Sequence, residues 1–469
     1  MIAANSAQGF LQAVAKSAGL LKKAARRWKI LRILFGLTWN FLHFLLRLFD
    51  RFSFDAICSF GYLIRKYRRP RALESGRNLK VLHVTCSFDL GGTQRQIMNL
   101  CESSKGSRKF IHETTELFPE DNFLFRKGAH LVRELYTSGG FFSRILGEIV
   151  MLAPYRSLYF LQIYKLVCDF RAIRPDFVVG WGHEIALTSF VAASIARVPR
   201  TVFCIRTFNP SYYGLTRMYT LLKRAHKRII PFLDGIIVNS TILQEDYSRW
   251  LGISKEGINV CPNGIDPQSL SDDNKRRYRK EIRESLGIPD SAIVVINVGR
   301  FSEEKGQMML ASAFKAVQES RGTLYCLFCG DGPTKGKVED YVSGNKVPNA
   351  LFVGRVQDAP RYLCASDIFV MPSNIEGMPN AMMEAMTYGL PCISTNLTGA
   401  LDIAREGVEA LYADVGSVKQ LAEKLSYLID RPEERRRLGQ NARSRIKYFS
   451  IAEMIRTFER QLELFAVGR

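Results

Sequence analysis

A chain of 469 residues with 47% hydrophobic and 24% charged positions is too long for one small domain and too apolar for a disordered tail, so two globular domains with an appendage are expected. The net charge of +21 is lopsided: through Lys80 there are 16 Lys and Arg against 3 Asp and Glu, a basic excess that fits nucleic acid or an anionic membrane, between which charge alone does not choose. The 10 cysteines have no pair-of-pairs spacing, which argues against a zinc ribbon. Cys326 and Cys329 form one C-x-x-C inside an apparent strand, where a metal or redox role competes with two buried, reduced thiols in a cytosolic catalytic portion.

Near the start, Phe10, Val14, Ala18, Leu21, Ala25 and Trp28 recur at helical spacing opposite Lys22, Lys23, Arg26 and Arg27. The uncharged run from Ile33 to Leu46 falls short of the roughly 20 residues that a spanning helix needs. Residues 10–71 therefore read as the part that meets an anionic membrane surface, through helix lying in the interface, against the alternatives of a hairpin packed on the protein or a snorkelling span. A cleaved signal peptide fits poorly, because a long basic helix precedes the apolar run and more Arg follows it. Nucleic-acid binding is not expected, since the basic excess sits on an aliphatic helix without aromatic platforms. The run Arg65 to Arg71 reads as a juxtamembrane linker.

Lys80 to Ser87 alternates like a first strand, and Gly91 with Gly92 allows a tight turn whose amides face an anion before a helix from Gln94 to Leu100. Between Ser103 and Arg174 the pattern is weaker, with helix-like stretches at Phe141 to Val150 and Arg156 to Arg171. Phe177 to Gly180 is a strand followed by a helix after His183, and Arg206 follows another strand. Asp234 to Ser240 is the last clear strand of this half, and Asn263 with Gly264 makes a turn within Cys261 to Asp266.

In the second half, Ala292 to Val298 is a β-rich run whose following loop carries Arg300 and Lys305. Tyr325 to Phe328 and Leu351 to Gly354 are further strands. Ile368 to Met371 is a buried strand running into a loop with Gly377, then Pro379 at a helix start, strong helix formers from Asn380 to Tyr388, and Gly389 as the stop. A strand, a turn and a helix whose free amides face the loop make a phosphate site. Glu376 and Glu384 flank it, placed to accept hydrogen bonds from sugar hydroxyls; taken alone, each also reads as an ordinary solvated or helical Glu. Strands alternating with helices argue for parallel sheets, whose ligands bind beyond the carboxyl ends of the strands, so Arg300, Lys305 and both Glu fall on one rim.

Over roughly Asn78 to Leu464, these motifs in this order resemble the retaining GT-B glycosyltransferases of family 4, which carry Glu, seven residues, Glu. The resemblance implies an α/β fold of two Rossmann-like domains facing a central cleft, with an added N-terminal helical membrane-associating extension. Its divisions here are residues 1–77 for the extension and basic linker, 78–265 for the acceptor-side domain, and 266–450 for the nucleotide-sugar domain, with a terminal helix at 451–464 crossing back to the first. It implies that Glu376 contacts the donor sugar, Glu384 holds the nucleotide ribose, and backbone from Gly377 through Met378 and Pro379 to Asn380 meets diphosphate and sugar. Gly354, Arg355 and Val356 lie against the base, and Gly91 and Gly92 form a loop over the donor phosphates. His183 either lies near the transferred sugar or merely caps its strand. Arg206 stands where the family often has His, for which a phosphate-bearing acceptor is one explanation. Gly399, Ala400 and Asp402 stand where two glycines and a Glu are usual.

Cleaving a nucleotide sugar builds charge on the leaving diphosphate. The chain has no Asp-x-Asp to hold a metal, so Arg300, Lys305 and the helix start are expected to neutralise it. The expected activity is metal-independent transfer, without a cofactor, of a hexosyl or N-acetylhexosaminyl group from a UDP- or GDP-linked donor to a lipid-linked or polysaccharide acceptor. Its expected place is peripheral, on the cytoplasmic face of the cell membrane. The alternative is a catalytically silent scaffold in a glycan assembly complex. Donor sugar, linkage and oligomeric state are not encoded in these patterns.

Overall fold

The computed structural model describes residues 59, 61–67, 70–73, 77–85, 92–103, 109–116, 159–213, 216–267, 270–318, 323–396 and 399–467. The amphipathic segment before residue 59, Gly91, and the helix expected at Phe141 to Val150 lie outside the described residues. Among the described residues no helix is long and apolar enough to cross a membrane. The chain divides into two compact units, and both sheets belong to the one formed by Phe60–Pro119 and Ile163–Arg469.

The first sheet contains β1 (Leu79–Thr85), β2 (Phe110–Glu116), β3 (Phe177–Trp181), β4 (Arg200–Ile205), β5 (Gly235–Val238) and β6 (Asn259–Val260), in the order β2-β1-β3-β4-β5-β6. Every pairing is parallel, and β3 and β5 are buried throughout, which is why they read as unbroken apolar runs. Helices α1 (Gly92–Ser103), α2 (His183–Ala196) and α3 (Thr241–Leu251) follow β1, β3 and β5. Gly180 lets α2 lie close on β3, since a Cβ there would stand 2.6 Å from Ala186 Cα.

The second sheet contains β7 (Ile293–Val298), β8 (Leu324–Cys329), β9 (Ala350–Gly354), β10 (Ile368–Met371), β11 (Cys392–Thr395) and β12 (Ala410–Ala413), in the order β12-β11-β10-β7-β8-β9, again all parallel. Helix α4 (Gln307–Gln318) follows β7 and α5 (Asn380–Thr387) follows β10. The winding reverses between β7 and β10, so the crevice beyond their carboxyl ends is the place where such a sheet receives a ligand. Cys326 and Cys329 are free and buried in β8; burial pushes the Cys329 thiol up to about 12, so both remain protonated apolar packing.

The terminal helix α6 (Ile451–Val467) sends Met454, Phe458, Leu462 and Phe465 into the core of the first sheet beside Val81, Phe177 and Trp181. At the opposite end of that sheet from the cleft, Arg65 is largely buried, donating to the Val198 carbonyl at 2.7 Å and the Pro199 carbonyl at 3.0 Å. Arg71 and Arg77 both bond the buried Asp176 carboxylate. These basic residues of the linker thus fasten it to the strand starts.

Candidate active site

The loops after β7 and β10 are stapled together. Asn374 N donates to the Glu304 carbonyl at 2.7 Å and Asn374 Nδ2 to the Glu303 carbonyl at 2.8 Å. Gly306 has φ +64°, and a Cβ on it would stand 2.0 Å from the Pro372 carbonyl oxygen, so only glycine fits this crossing. The outcome is that Lys305 Nζ donates to Glu376 Oε2. Arg300 precedes it on the same loop, exposed, its carbonyl held by Gln307 Nε2 at 2.9 Å. The Glu376 carbonyl accepts from Gly399 N at 2.9 Å, fixing the loop from its other side.

Helix α5 begins at Asn380 rather than at Pro379, which stands one residue earlier as the cap, with φ −84° and ψ 100°. Pro has no side-chain acceptor, so no side chain caps the helix and its first-turn amides stay open for an anion. Gly389, at φ +75°, closes the same segment in the left-handed conformation. Gly354 has φ +79° and its carbonyl accepts from Gly330 N at 2.7 Å, while Arg355 is exposed and Val356 packs against the core beneath α5.

Contacts from the first sheet's side complete the cleft. Arg95, in the first turn of α1, pairs with Glu384 of α5. Gly92 faces Asn380, since a Cβ there would meet Asn380 Nδ2 at 2.5 Å. Asn263 Nδ2 donates to Asn380 Oδ1 at 2.8 Å, and Thr241 N donates to Asp402 Oδ2 at 2.6 Å. Gly377 is hemmed in by the Arg206 carbonyl, Leu243 and Asn239. Nothing in the periodicity of α1 marks Arg95; its place three residues after Gly92 was the available clue.

His183 is the first residue of α2, at the carboxyl end of β3. Tyr247 Oη lies 2.8 Å from its Nε2 and 3.1 Å from its Nδ1, and the Phe208 carbonyl lies 3.2 Å from Nε2. Burial, reinforced by His226, pushes its pKa down to about 3, so the ring is neutral. Among the described residues it makes no hydrogen bond to the second sheet's loops, so the structure groups it with Tyr247 and Phe208. Arg206 is 8% exposed, its Cζ 4.8 Å from the Trp181 ring centroid, and its Nη1 donates to the Cys261 carbonyl and to Asn263 Oδ1, both at 2.8 Å.

Lys305, Glu376, Met378, Asn380 and Glu384 are thus brought together around one helix start, with two cations on two carboxylates. That arrangement can exchange each ion pair for a ligand: cations to phosphate, carboxylates to hydroxyls.

Two family descriptions match the chain: Glycosyltransferase Family 4 over residues 90–269 and Glycosyl transferases group 1 over residues 278–445. The chain is similar to the capsular polysaccharide biosynthesis glycosyltransferase CapM of Staphylococcus aureus, 25% identical over 300 residues, covering 61% of this chain and 76% of the relative. It is also similar to the UDP-Gal:alpha-D-GlcNAc-diphosphoundecaprenol alpha-1,3-galactosyltransferase of Escherichia coli, 25% identical over 371 residues, covering 75% of this chain and 88% of the relative. Among solved structures, Anabaena HepE, crystallised with UDP-glucose, shares the fold with a TM-score of 0.65 at 18% identity, covering 82% of this chain and all 100% of that one.

Proposed function

The chain belongs to the GT-B glycosyltransferases of family 4, and from that membership we propose a retaining, metal-independent transfer of sugar from a UDP- or GDP-linked donor to a lipid-linked or polysaccharide acceptor. It is an enzyme of the hexosyl- or N-acetylhexosaminyl-transferring kind. Relatives named for capsular polysaccharide synthesis and for a diphosphoundecaprenol acceptor support this choice of acceptor class. A peripheral place on the cytoplasmic membrane face follows from the basic surplus through Lys80.

The observation that carries this reading is the Lys305–Glu376 pair beside the uncapped start of α5, at the point where the second sheet reverses its winding. When a donor enters, its diphosphate takes over Lys305, Arg300 and the amides of α5, and these positive groups oppose the charge that grows as the sugar leaves. Glu376 is then released to a sugar hydroxyl and Glu384 to the ribose. Gly354 to Val356 flank the base, and Gly92 brings the other lobe to the diphosphate. His183, held neutral, serves as a hydrogen-bond partner near the acceptor. With no Asp-x-Asp in the sequence, fixed cations take the part that a divalent ion plays elsewhere.

The test is transfer by Lys305→Ala and Glu376→Gln, with UDP- and GDP-sugars as donors. Each variant is expected to lose at least about 100-fold in kcat/KM while its melting temperature stays within a few degrees of the parent. Activity within about tenfold of the parent in both would overturn the assignment.

A further inference from the structure

Arg206, Asn263 and Asn380 form a chain of side-chain hydrogen bonds whose direction is set from one end. A guanidinium only donates. Arg206 Nη1 donates to Asn263 Oδ1 at 2.8 Å, so the oxygen of that amide must face Arg206 and its Nδ2 must face away. Nδ2 then donates to Asn380 Oδ1, also at 2.8 Å, which turns the second amide in the same sense. Asn380 Nδ2 is left pointing at Gly92, and among the described residues it meets no acceptor.

The head of this chain cannot turn. The Cys261 carbonyl accepts from the same Nη1 at 2.8 Å, and the guanidinium lies over the Trp181 ring. Arg206 and Asn263 are 8% and 5% exposed, so water does not supply an alternative partner that would let either amide flip. Nε and Nη2 of Arg206 are buried without a hydrogen-bond partner, a cost accepted at a position where Nη1 alone makes directed contacts.

We infer that Arg206 is a positioning residue which, through Asn263, fixes the amide of Asn380 so that its Nδ2 donates to a phosphate oxygen of a nucleoside diphosphate. This rests on the donor site proposed above, and it adds a side-chain donor at the helix start where only backbone amides were expected. Residues of the two sheets are thereby linked: an arginine at the end of β4 determines the hydrogen-bonding sense of the first residue of α5.

The experiment measures binding of UDP, GDP, uridine and guanosine by calorimetry to the full chain and its variants. Asn380→Asp keeps the oxygen that accepts from Asn263 but offers no donor. It is expected to weaken the nucleoside diphosphate at least tenfold and the nucleoside less than twofold. Asn263→Asp keeps the bond from Arg206 but leaves the Asn380 amide free to turn, with an expected loss of three- to tenfold in diphosphate binding. Arg206→Lys, still a pure donor, is expected to keep the donor KM within threefold, whereas Arg206→Met raises it tenfold or more, beyond any change in kcat. Should Arg206→Met not fold, the two Asn variants decide the matter. Diphosphate binding by Asn380→Asp within twofold of the parent, or equal losses for diphosphate and nucleoside, overturns the inference. If Lys305→Ala loses binding in the same assay while Asn380→Asp does not, only this inference falls; if the parent binds neither diphosphate, the donor site falls with it.

Discussion

Arg95 of α1 donates through Nη1 to Glu384 Oε1 of α5, so the helices that follow β1 and β10 are joined directly across the cleft. The Arg95 side chain is 61% exposed and that of Glu384 17%, so water and salt screen the pair. A double-mutant cycle with Arg95→Ala and Glu384→Ala, followed by chemical denaturation, should give a coupling below about 1 kcal/mol. The join is weak enough for a ligand to break, and Glu384→Ala should therefore harm donor binding far more than it harms stability.

Gly306 is the more demanding contact. Gly306→Ala must move either its own loop or Pro372, because the added Cβ would lie 2.0 Å from a carbonyl oxygen at a φ of +64°. The expected cost is roughly 2 to 3 kcal/mol in an equilibrium unfolding experiment. Donor KM should rise at least tenfold as Lys305 is displaced from Glu376.

Beneath the second sheet, Arg283 is fully buried and donates to the carbonyls of Ala365, Pro289, Asp290 and Ala292 and to Asp367 Oδ2. Arg283→Ala strips those acceptors at once and leaves Asp367 with a lost partner. Urea unfolding should show a loss of about 3 to 5 kcal/mol. The site geometry is not touched by this residue, so the fraction that remains folded should retain the parent's donor KM.

His226 sets a pH limit on stability. It donates from Nδ1 to the Leu222 carbonyl at 2.8 Å, and burial pushes its pKa from 6.5 down to about 4. The folded state therefore binds fewer protons than the unfolded one. The stability this gives is complete above pH 6.5 and drains away as pH falls toward 4, by roughly 3 kcal/mol if His226 acts alone. Melting curves across that window should show the decline. His226→Phe, which keeps a ring against Phe203 and Trp250 and takes no proton, should make it shallower and leave the part that the buried His183 contributes.

How far these features were legible in the chain depends on how local they are. The strands beside the donor site were readable because a parallel strand covered on both faces is a continuous apolar run, as at Ile368 to Met371, and because Gly377, Pro379 and Gly389 mark where the backbone must turn or stop. Lys305 and Glu376 could be placed on one rim because both follow strands of one sheet. The partners Arg95 with Glu384 and Asn263 with Asn380 were not legible, since each joins segments more than a hundred residues apart and no periodicity says which side chains of two lobes will meet. Arg206 stood out only as an unusual residue. Its effect on Asn380 depends on the direction of two hydrogen bonds, which residue types alone do not reveal.

Helix α6 follows both sheets in the chain, yet it fills the core of the first. Phe465 lies against Gly235, where a Cβ would stand 2.2 Å from its ring, and Phe458 stacks on Trp181 at 6.2 Å between centroids. During synthesis the opening lobe must wait, with an apolar groove uncovered, until the entire following lobe has emerged. The stretch of chain after β12 therefore decides whether the first sheet closes: a chain cut after β12 carries a second sheet attached to a first one whose apolar groove stays open.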